Sequence, residues 1–359
     1  MTNTIRRRAF ASLAVLIVAF AGACGSSKSS GSGDTSDTGT QLPATTLSGS
    51  GSSFQDAFNQ EIFRSFTSDE QPDVTVNYNP TGSGQGQTDL QGGLVDFAGT
   101  DSLVKAEDVS KFKGAFLYIP TVAAPITISY NVGGLDKLTL SAATIAKIFS
   151  TKVTKWDAPE IKADNPDASL PSTPIVVVHR SDGSGTTANF TKYLTEAAPD
   201  DWTLGTDKVV NWSSSTIGAE KNTGVAEKIS STDGAIGYVD FSDAKEAGLS
   251  FASIKNAAGK VVEPSLAGAT AAMASAEVSD DVTVSPMNAP GADAYPITSP
   301  TYIIAYEKQT DHNKGTALKA LLTYVLGTGQ GKAAELDFAK LPDALLAKAK
   351  GQVDKIQVP

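Results

Sequence analysis

The 359 residues carry 29 Lys and Arg against 39 Asp and Glu, a net charge of −10, and 40% of them are hydrophobic. That suits a soluble globular chain long enough for two lobes, and it excludes nucleic acid as a partner, because such binding needs a basic face. One cysteine, Cys24, and two histidines, His179 and His312, exclude an intramolecular disulfide and leave too few ligands for a Cys/His zinc site.

The chain opens on an export signal. Arg6, Arg7 and Arg8 precede an apolar or small run from Ala9 to Ala23, too short to span a bilayer, which needs about 20 residues. Ala21-Gly22-Ala23-Cys24 is followed by a Ser/Gly/Asp-rich run to Thr40. A small-residue site ending in the sole cysteine reads as a bacterial lipobox, with Cys24 the lipidated N-terminus and the polar run a tether. Ala21 stands where a lipobox usually has leucine, and simple cleavage that leaves Cys24 idle is the alternative. The expected division is a signal peptide over 1–23 and a lipidated tether over 24–43.

Thr45-Thr46-Leu47 predicts a short strand and Gly49 to Ser53 a turn. Phe54, Phe58, Ile62 and Phe66 then mark a helix, with Ser53 placed as its N-cap. Val74, Val76 and Tyr78 alternate as in a strand. Thr81-Gly82-Ser83-Gly84-Gln85-Gly86 is a second turn, opening a helix to Gly92. A strand over Val95 to Gly99 ends at Thr100-Asp101. Phe116 to Tyr130 is extended, and Ser141 to Phe149 is helical. Ile175 to Val178 is an apolar strand of the kind buried in parallel sheets. It runs into His179 to Thr187, followed by a helix carrying Phe190, Tyr193 and Leu194. Ala235 to Val239 and Thr301 to Tyr306 are further strands, and the remainder is mostly helical. The alternation predicts α/β architecture with parallel sheets and no internal repeat.

Three Gly/Ser turns therefore lie between a strand and a helix. Strand ends in open α/β sheets bind ligands, and a helix N-terminus offers unpaired N–H groups and partial positive charge. Gly82, Gly84 and Gly86 lack the spacing of a dinucleotide fingerprint, and no Walker loop occurs, so a small oxyanion fits better. The acidic net charge weakens that reading without excluding it, since a buried site is governed by its own donors. Arg180 is suited to paired hydrogen bonds with such an anion, and Asp182 is placed to hold its guanidinium; the plain alternative is a surface ion pair. Asp101 reads equally, from spacing alone, as a helix cap and as an acceptor for a proton on the ligand.

These stretches resemble the phosphate-binding subunit of Pst-type ABC importers over about Leu47 to Leu346. The resemblance rests on Ser48-Gly49-Ser50-Gly51-Ser52-Ser53-Phe54, Val95-Asp96-Phe97 with Thr100-Asp101, and Lys155-Trp156-Asp157. It continues through Arg180-Ser181-Asp182-Gly183-Ser184-Gly185-Thr186, Gly234 to Val239, Tyr295 to Ser299 and Leu341-Pro342-Asp343. It implies a two-lobed type II periplasmic-binding-protein fold, with 44–130 plus 300–359 as one lobe and 131–299 as the other. Crossovers near Tyr130-Asn131 and Ser299-Pro300 would form the hinge. Phosphate would be held by the Ser53 hydroxyl, the Phe54 N–H, Ser83, Arg180 braced by Asp182, the Ser184 hydroxyl and N–H, and the N–H groups of Gly185 and Thr186. Asp101 would take a proton from the ligand, which sulfate cannot offer at neutral pH. The implied partners are inorganic phosphate, permease and ATPase subunits, and the outer face of the cytoplasmic membrane through the lipid; no cofactor and no metal is expected.

Competing readings are a binding protein for sulfate or molybdate, which would lack a carboxylate in the site, a serine hydrolase or phosphatase, and a purely structural surface lipoprotein. A serine nucleophile needs a nearby base. His179 points to the face opposite Arg180 if the strand continues, and His312 follows Lys308-Gln309-Thr310-Asp311, an apparently exposed loop.

Overall fold

The computed structural model describes residues 41–359. The expected signal peptide, Cys24 and the tether up to residue 40 lie outside these residues. The first part of the chain gives β1 (Thr45–Gly51), α1 (Asp56–Asp69), β2 (Val74–Asn79), α2 (Ser83–Gly92), β3 (Phe97–Thr100) and the long β4 (Phe116–Asn131). Then come β5 (Thr139–Leu140), α3 (Ala142–Phe149), α4 (Pro159–Asp164), β6 (Val176–Arg180), α5 (Gly185–Ala197), β7 (Ile217–Ala219) and α6 (Lys221–Ser230). They are followed by β8 (Ala235–Asp240), α7 (Phe241–Glu246), β9 (Ser250–Phe251), β10 (Ser253–Lys255), β11 (Val261–Val262) and α8 (Leu266–Ala274). The chain closes with β12 (Thr298–Tyr306), α9 (His312–Val325), α10 (Thr328–Lys332) and α11 (Asp343–Asp354).

The main sheet runs β2-β1-β3-β12-β4-β8-β6-β7, with β9 added beside β4. Parallel pairing joins β2, β1 and β3 at one end and β8, β6 and β7 at the other. The centre is antiparallel, which corrects the expectation of parallel sheets alone: β12 runs against both β3 and β4, and β4 against β8. The first part of β4, up to Pro125, pairs with β12; from Ile126 onward its partner is β8. Proline cannot donate to a ladder and is confined to edges and irregularities. Pro120 sits where the β4–β12 register shifts, and Pro125 sits where β4 changes partner. No helix among the described residues is long and apolar enough to cross a membrane.

Packing explains the departures at the first turn. The Gly49 to Gly51 stretch is not a turn but continues β1, paired with β2 and β3, and at Gly49 Phe97 leaves room only for glycine. A Cβ on Gly49 would stand 2.4 Å from the Phe97 ring. α1 starts at Asp56 with Gln55 as its cap residue, so Ser53 is not the N-cap; its oxygen is engaged elsewhere. Phe58, Ile62 and Phe66 are fully buried, each contributing about 1.5–3 kcal/mol of apolar burial. Phe58 packs edge-on against Phe338 at 5.8 Å. Around β6 and β8 a second aromatic group holds the other end of the sheet: Phe190 lies 4.7 Å from Phe149 and stacks on Tyr238 at 4.5 Å.

Candidate functional site

The carboxyl ends of β1, β2, β3 and β6 converge, and with them all three Gly/Ser turns. Parallel strands connected through helices place every such end on one side of the sheet, with a helix N-terminus behind it. The two ends of the sheet meet directly here. The Gly84 N–H donates to the Gly183 carbonyl at 2.7 Å. Gly185 lies so near that a Cβ on it would stand 2.5 Å from Ser83 Oγ and 2.7 Å from Asp101 Oδ2.

Asp101 is 3% exposed and caps no helix; the next helical turn begins only at Ala106. Its carboxylate collects hydroxyl donors: Ser52 at 2.6 Å, Thr301 at 2.7 Å and Ser83 at 3.3 Å. Burial nevertheless pushes its pKa up to about 6, because desolvation outweighs those hydroxyls and the positive charge of Arg180. A carboxyl poised near neutrality suits a group that must accept a proton.

Arg180 is the last residue of β6, since the strand runs on past Val178 through His179. Its guanidinium is buried and held by Asp182, Nε donating to Oδ1 at 2.7 Å and Nη2 to Oδ2, so the pair is not a solvated surface bridge. Burial alone would raise the Asp182 carboxyl, but its bonds and charge contact with Arg180 prevail and hold it below the usual range. Nη1 donates to Thr186 Oγ1 at 3.4 Å.

Ser184 caps α5, its hydroxyl oxygen accepting from the Thr187 N–H at 3.1 Å. Its own N–H donates to the Lys208 carbonyl at 3.0 Å and is therefore spent, contrary to expectation; the hydroxyl proton remains free of that bond. Gly185 and Thr186 open the helix, where N–H groups lack intrahelical partners. The Phe54 N–H, expected to face the ligand, instead donates to Ser52 Oγ at 3.0 Å, linking it to the Asp101 network. Ser53 Oγ accepts from the Asn222 N–H at 3.2 Å and from Asn222 Nδ2 at 3.4 Å. Thus Ser53, Phe54, Ser83, Asp101, Arg180, Asp182, Ser184, Gly185 and Thr186 all lie in one buried cluster.

Sequence reasoning missed three members. Ser52 and Thr301 supply donors to Asp101, and Asn222, fully buried at the start of α6, bridges Ser53 and Thr186. A Ser beside the assigned Ser53 was a local signal. Nothing local marked Thr301, which reaches Asp101 through the β3–β12 register.

Neither histidine serves a nucleophile. His179 stacks on Trp212 at 4.8 Å with Nδ1 against the Arg180 carbonyl at 2.9 Å, and burial lowers its pKa. His312 is the exposed first residue of α9, directly after that loop, and its Nδ1 lies 2.7 Å from the Pro359 carbonyl. A cavity of about 520 Å³ lies beside Asp101 and Asn189, but Arg180, Ser53 and Thr186 do not border it. The tight cluster, with its convergent donors, is therefore the stronger candidate for a small anion.

The model of the PBP superfamily domain matches residues 29–328. The phosphate-binding protein PstS2 of Mycobacterium bovis (strain BCG / Pasteur 1173P2) is 35% identical over 353 residues, covering 93% of this chain and 94% of its own. The phosphate-binding protein PstS of Pasteurella multocida is 32% identical over 317 residues, covering 86% and 90%. Among solved structures, the high-affinity periplasmic phosphate-binding protein PfluDING bound with phosphate superposes with a TM-score of 0.68 at 21% identity, over 85% of this chain and 93% of that one. A putative phosphate ABC transporter substrate-binding protein from Clostridium perfringens, with bound phosphate, gives 0.61 at 18% identity, over 83% and 100%. At those identities the structural likeness establishes the fold.

Proposed function

The chain belongs to the Pst phosphate-binding proteins of the PBP superfamily, and from that premise we propose that its buried donor cluster holds inorganic phosphate and rejects sulfate. It is a substrate-binding protein and not an enzyme, and it serves phosphate capture outside the cytoplasm for an ABC importer. The permease and ATPase of that importer are its partners.

Phosphate is held by the Ser53 and Ser184 hydroxyls, the N–H groups of Gly185 and Thr186, and the Arg180 guanidinium braced by Asp182; the Phe54 N–H and the Ser83 hydroxyl join them on release from Ser52 Oγ and Asp101. The single observation that carries this reading is Asp101: a buried carboxyl, with a pKa of about 6, set beside an arginine and two helix N-termini. A carboxylate repels an anion unless the anion brings a proton. Both ionised forms of phosphate at neutral pH carry at least one, and sulfate carries none. A molybdate or sulfate carrier would have no use for this acceptor.

The lobes expected from the sequence, 44–130 plus 300–359 and 131–299, are proposed here with their first boundary moved to Pro125/Ile126, because Ile126 to Asn131 pair with β8. Two adjacent crossovers support the division, for β4 changes partner at Pro125/Ile126 and Thr298, the first residue of β12, pairs with Pro125. The hinge is accordingly drawn towards Pro125 and Thr298, and the Gly84–Gly183 hydrogen bond joins the lobes across the cleft.

Calorimetric titration of the purified protein, stripped of bound phosphate, tests the function. One-to-one phosphate binding with no sulfate heat is expected at neutral pH. Binding of both anions removes the selectivity argument; binding of neither overturns the anion site. The anchor is a separate proposal: Cys24→Ala is expected to move the protein from the membrane fraction into the medium. Full membrane retention of that variant would refute lipidation.

A further inference from the structure

We propose that Asn222 is a positioning residue that turns the Ser53 and Thr186 hydroxyls into obligate donors toward the bound anion; the inference rests on the phosphate-binding reading above. A hydroxyl has one proton to give and two lone pairs to receive with. Ser53 Oγ receives two N–H groups, both from Asn222: the backbone N–H at 3.2 Å and Nδ2 at 3.4 Å. Thr186 Oγ1 likewise receives two, from Asn222 Nδ2 at 3.2 Å and Arg180 Nη1 at 3.4 Å. With both lone-pair positions engaged, each hydroxyl can turn its proton only outward, toward an acceptor. The two hydrogens of one amide thus set a hydroxyl on each side of the cleft, since Ser53 follows β1 and Thr186 belongs to α5.

Two costs concentrated at this point favour a functional origin. Lys221, immediately before Asn222, has φ +63°, in the left-handed region that non-glycine residues seldom adopt. That turn aims the Lys221 N–H at Asp182 Oδ1, 3.2 Å away, and the next N–H at Ser53. The Asn222 Oδ1 atom, meanwhile, is buried without a hydrogen-bond partner among the described residues. Orphaned buried polar atoms are uncommon and call for a reason. Packing of α6 does not supply one, because Val225, Ala226 and Ile229 already provide its buried apolar face.

The test is a mutant cycle read by phosphate titration on the full chain: wild type, Asn222→Ala, the pair Ser53→Ala with Thr186→Val, and the combination of all three. Asn222→Ala is expected to weaken phosphate binding about 10-fold, as for one lost hydrogen bond to a charged ligand. In the Ser53→Ala/Thr186→Val background the same change is expected to cost less than about 3-fold, because residues acting through one another are not additive. Equal losses in both backgrounds, or no loss in either, would overturn the proposal. Should Asn222→Ala fail to fold, Asn222→Leu enters the same cycle. It keeps the side chain's size and branching and the backbone N–H but removes the Nδ2 donors without adding charge, and the same coupling is expected. A wild-type chain that binds no phosphate would sink the functional reading itself, whereas additive losses in a phosphate binder remove only the role given to Asn222.

Discussion

Replacing Arg180 by methionine is expected to weaken phosphate binding by roughly 10²–10⁴-fold, the equivalent of the about 3–5 kcal/mol that breaking a buried charge pair costs. The guanidinium is almost wholly buried, and both its Nε and Nη2 donate to Asp182. Its geometry is therefore set before a ligand arrives, and little ordering entropy opposes binding. Methionine has similar length and no charge, so it leaves the anion without the cluster's buried cation and leaves Asp182 with the Lys221 N–H of those partners. Arg180→Lys should recover part of the affinity, since a point charge replaces the fork without its paired N–H groups. Titration calorimetry on variants shown to be folded by circular dichroism measures both effects. An Arg180→Met protein that binds phosphate within a few-fold of wild type would remove Arg180 from the site.

The parts of this site that could be read from the sequence are those whose signals are local. Ser83, Ser184, Gly185 and Thr186 announce themselves because a small-residue turn before a helix is written in consecutive residues. Arg180 and Asp182 lie inside the same run. Local signals also located β4 as one long apolar segment. They could not tell that its neighbours run antiparallel, because alternation and apolarity carry no direction, and so the centre of the sheet was misjudged. Thr301 shows the same limit: it touches Asp101 only because Tyr302 pairs with Thr100 across two strands far apart in the chain. Asn222 was hidden for a different reason. Its turn is made by Lys221 in a left-handed conformation, where glycine would have been the visible signal. The β-strand before it is only three residues long, too short to show a period.

Asp101→Asn should have the most distinctive outcome: sulfate binding should appear, and the pH dependence of selectivity should vanish. A site built around an acceptor rejects a ligand that cannot donate by about 10⁴–10⁵. In the wild type, Asp101 is ionised above a pKa of about 6 and accepts the phosphate proton. Below that pH it carries its own proton, becomes a donor, and loses its objection to sulfate. Sulfate affinity is therefore expected to rise as the pH falls through 6. Asparagine presents an N–H₂ group at every pH, so the variant should bind sulfate without that dependence, and its preference for phosphate should narrow by about 100-fold or more. The same substitution has a sign in stability. The folded pKa lies above the ordinary 3.8, so the folded chain holds the proton more tightly than the unfolded one. This group's contribution is present below pH 4 and is lost as the pH rises through 6, a change of roughly 3 kcal/mol at about 1.4 kcal/mol per pKa unit. Thermal unfolding of the ligand-free proteins at pH 4 and pH 7 isolates that term as the difference between wild type and variant. Asp101→Asn should lose less stability than wild type over that interval. Unchanged sulfate rejection together with an unchanged stability profile would show that Asp101 is neither the discriminator nor the titrating group, and selectivity would then have to reside in the shape of the donor cluster alone.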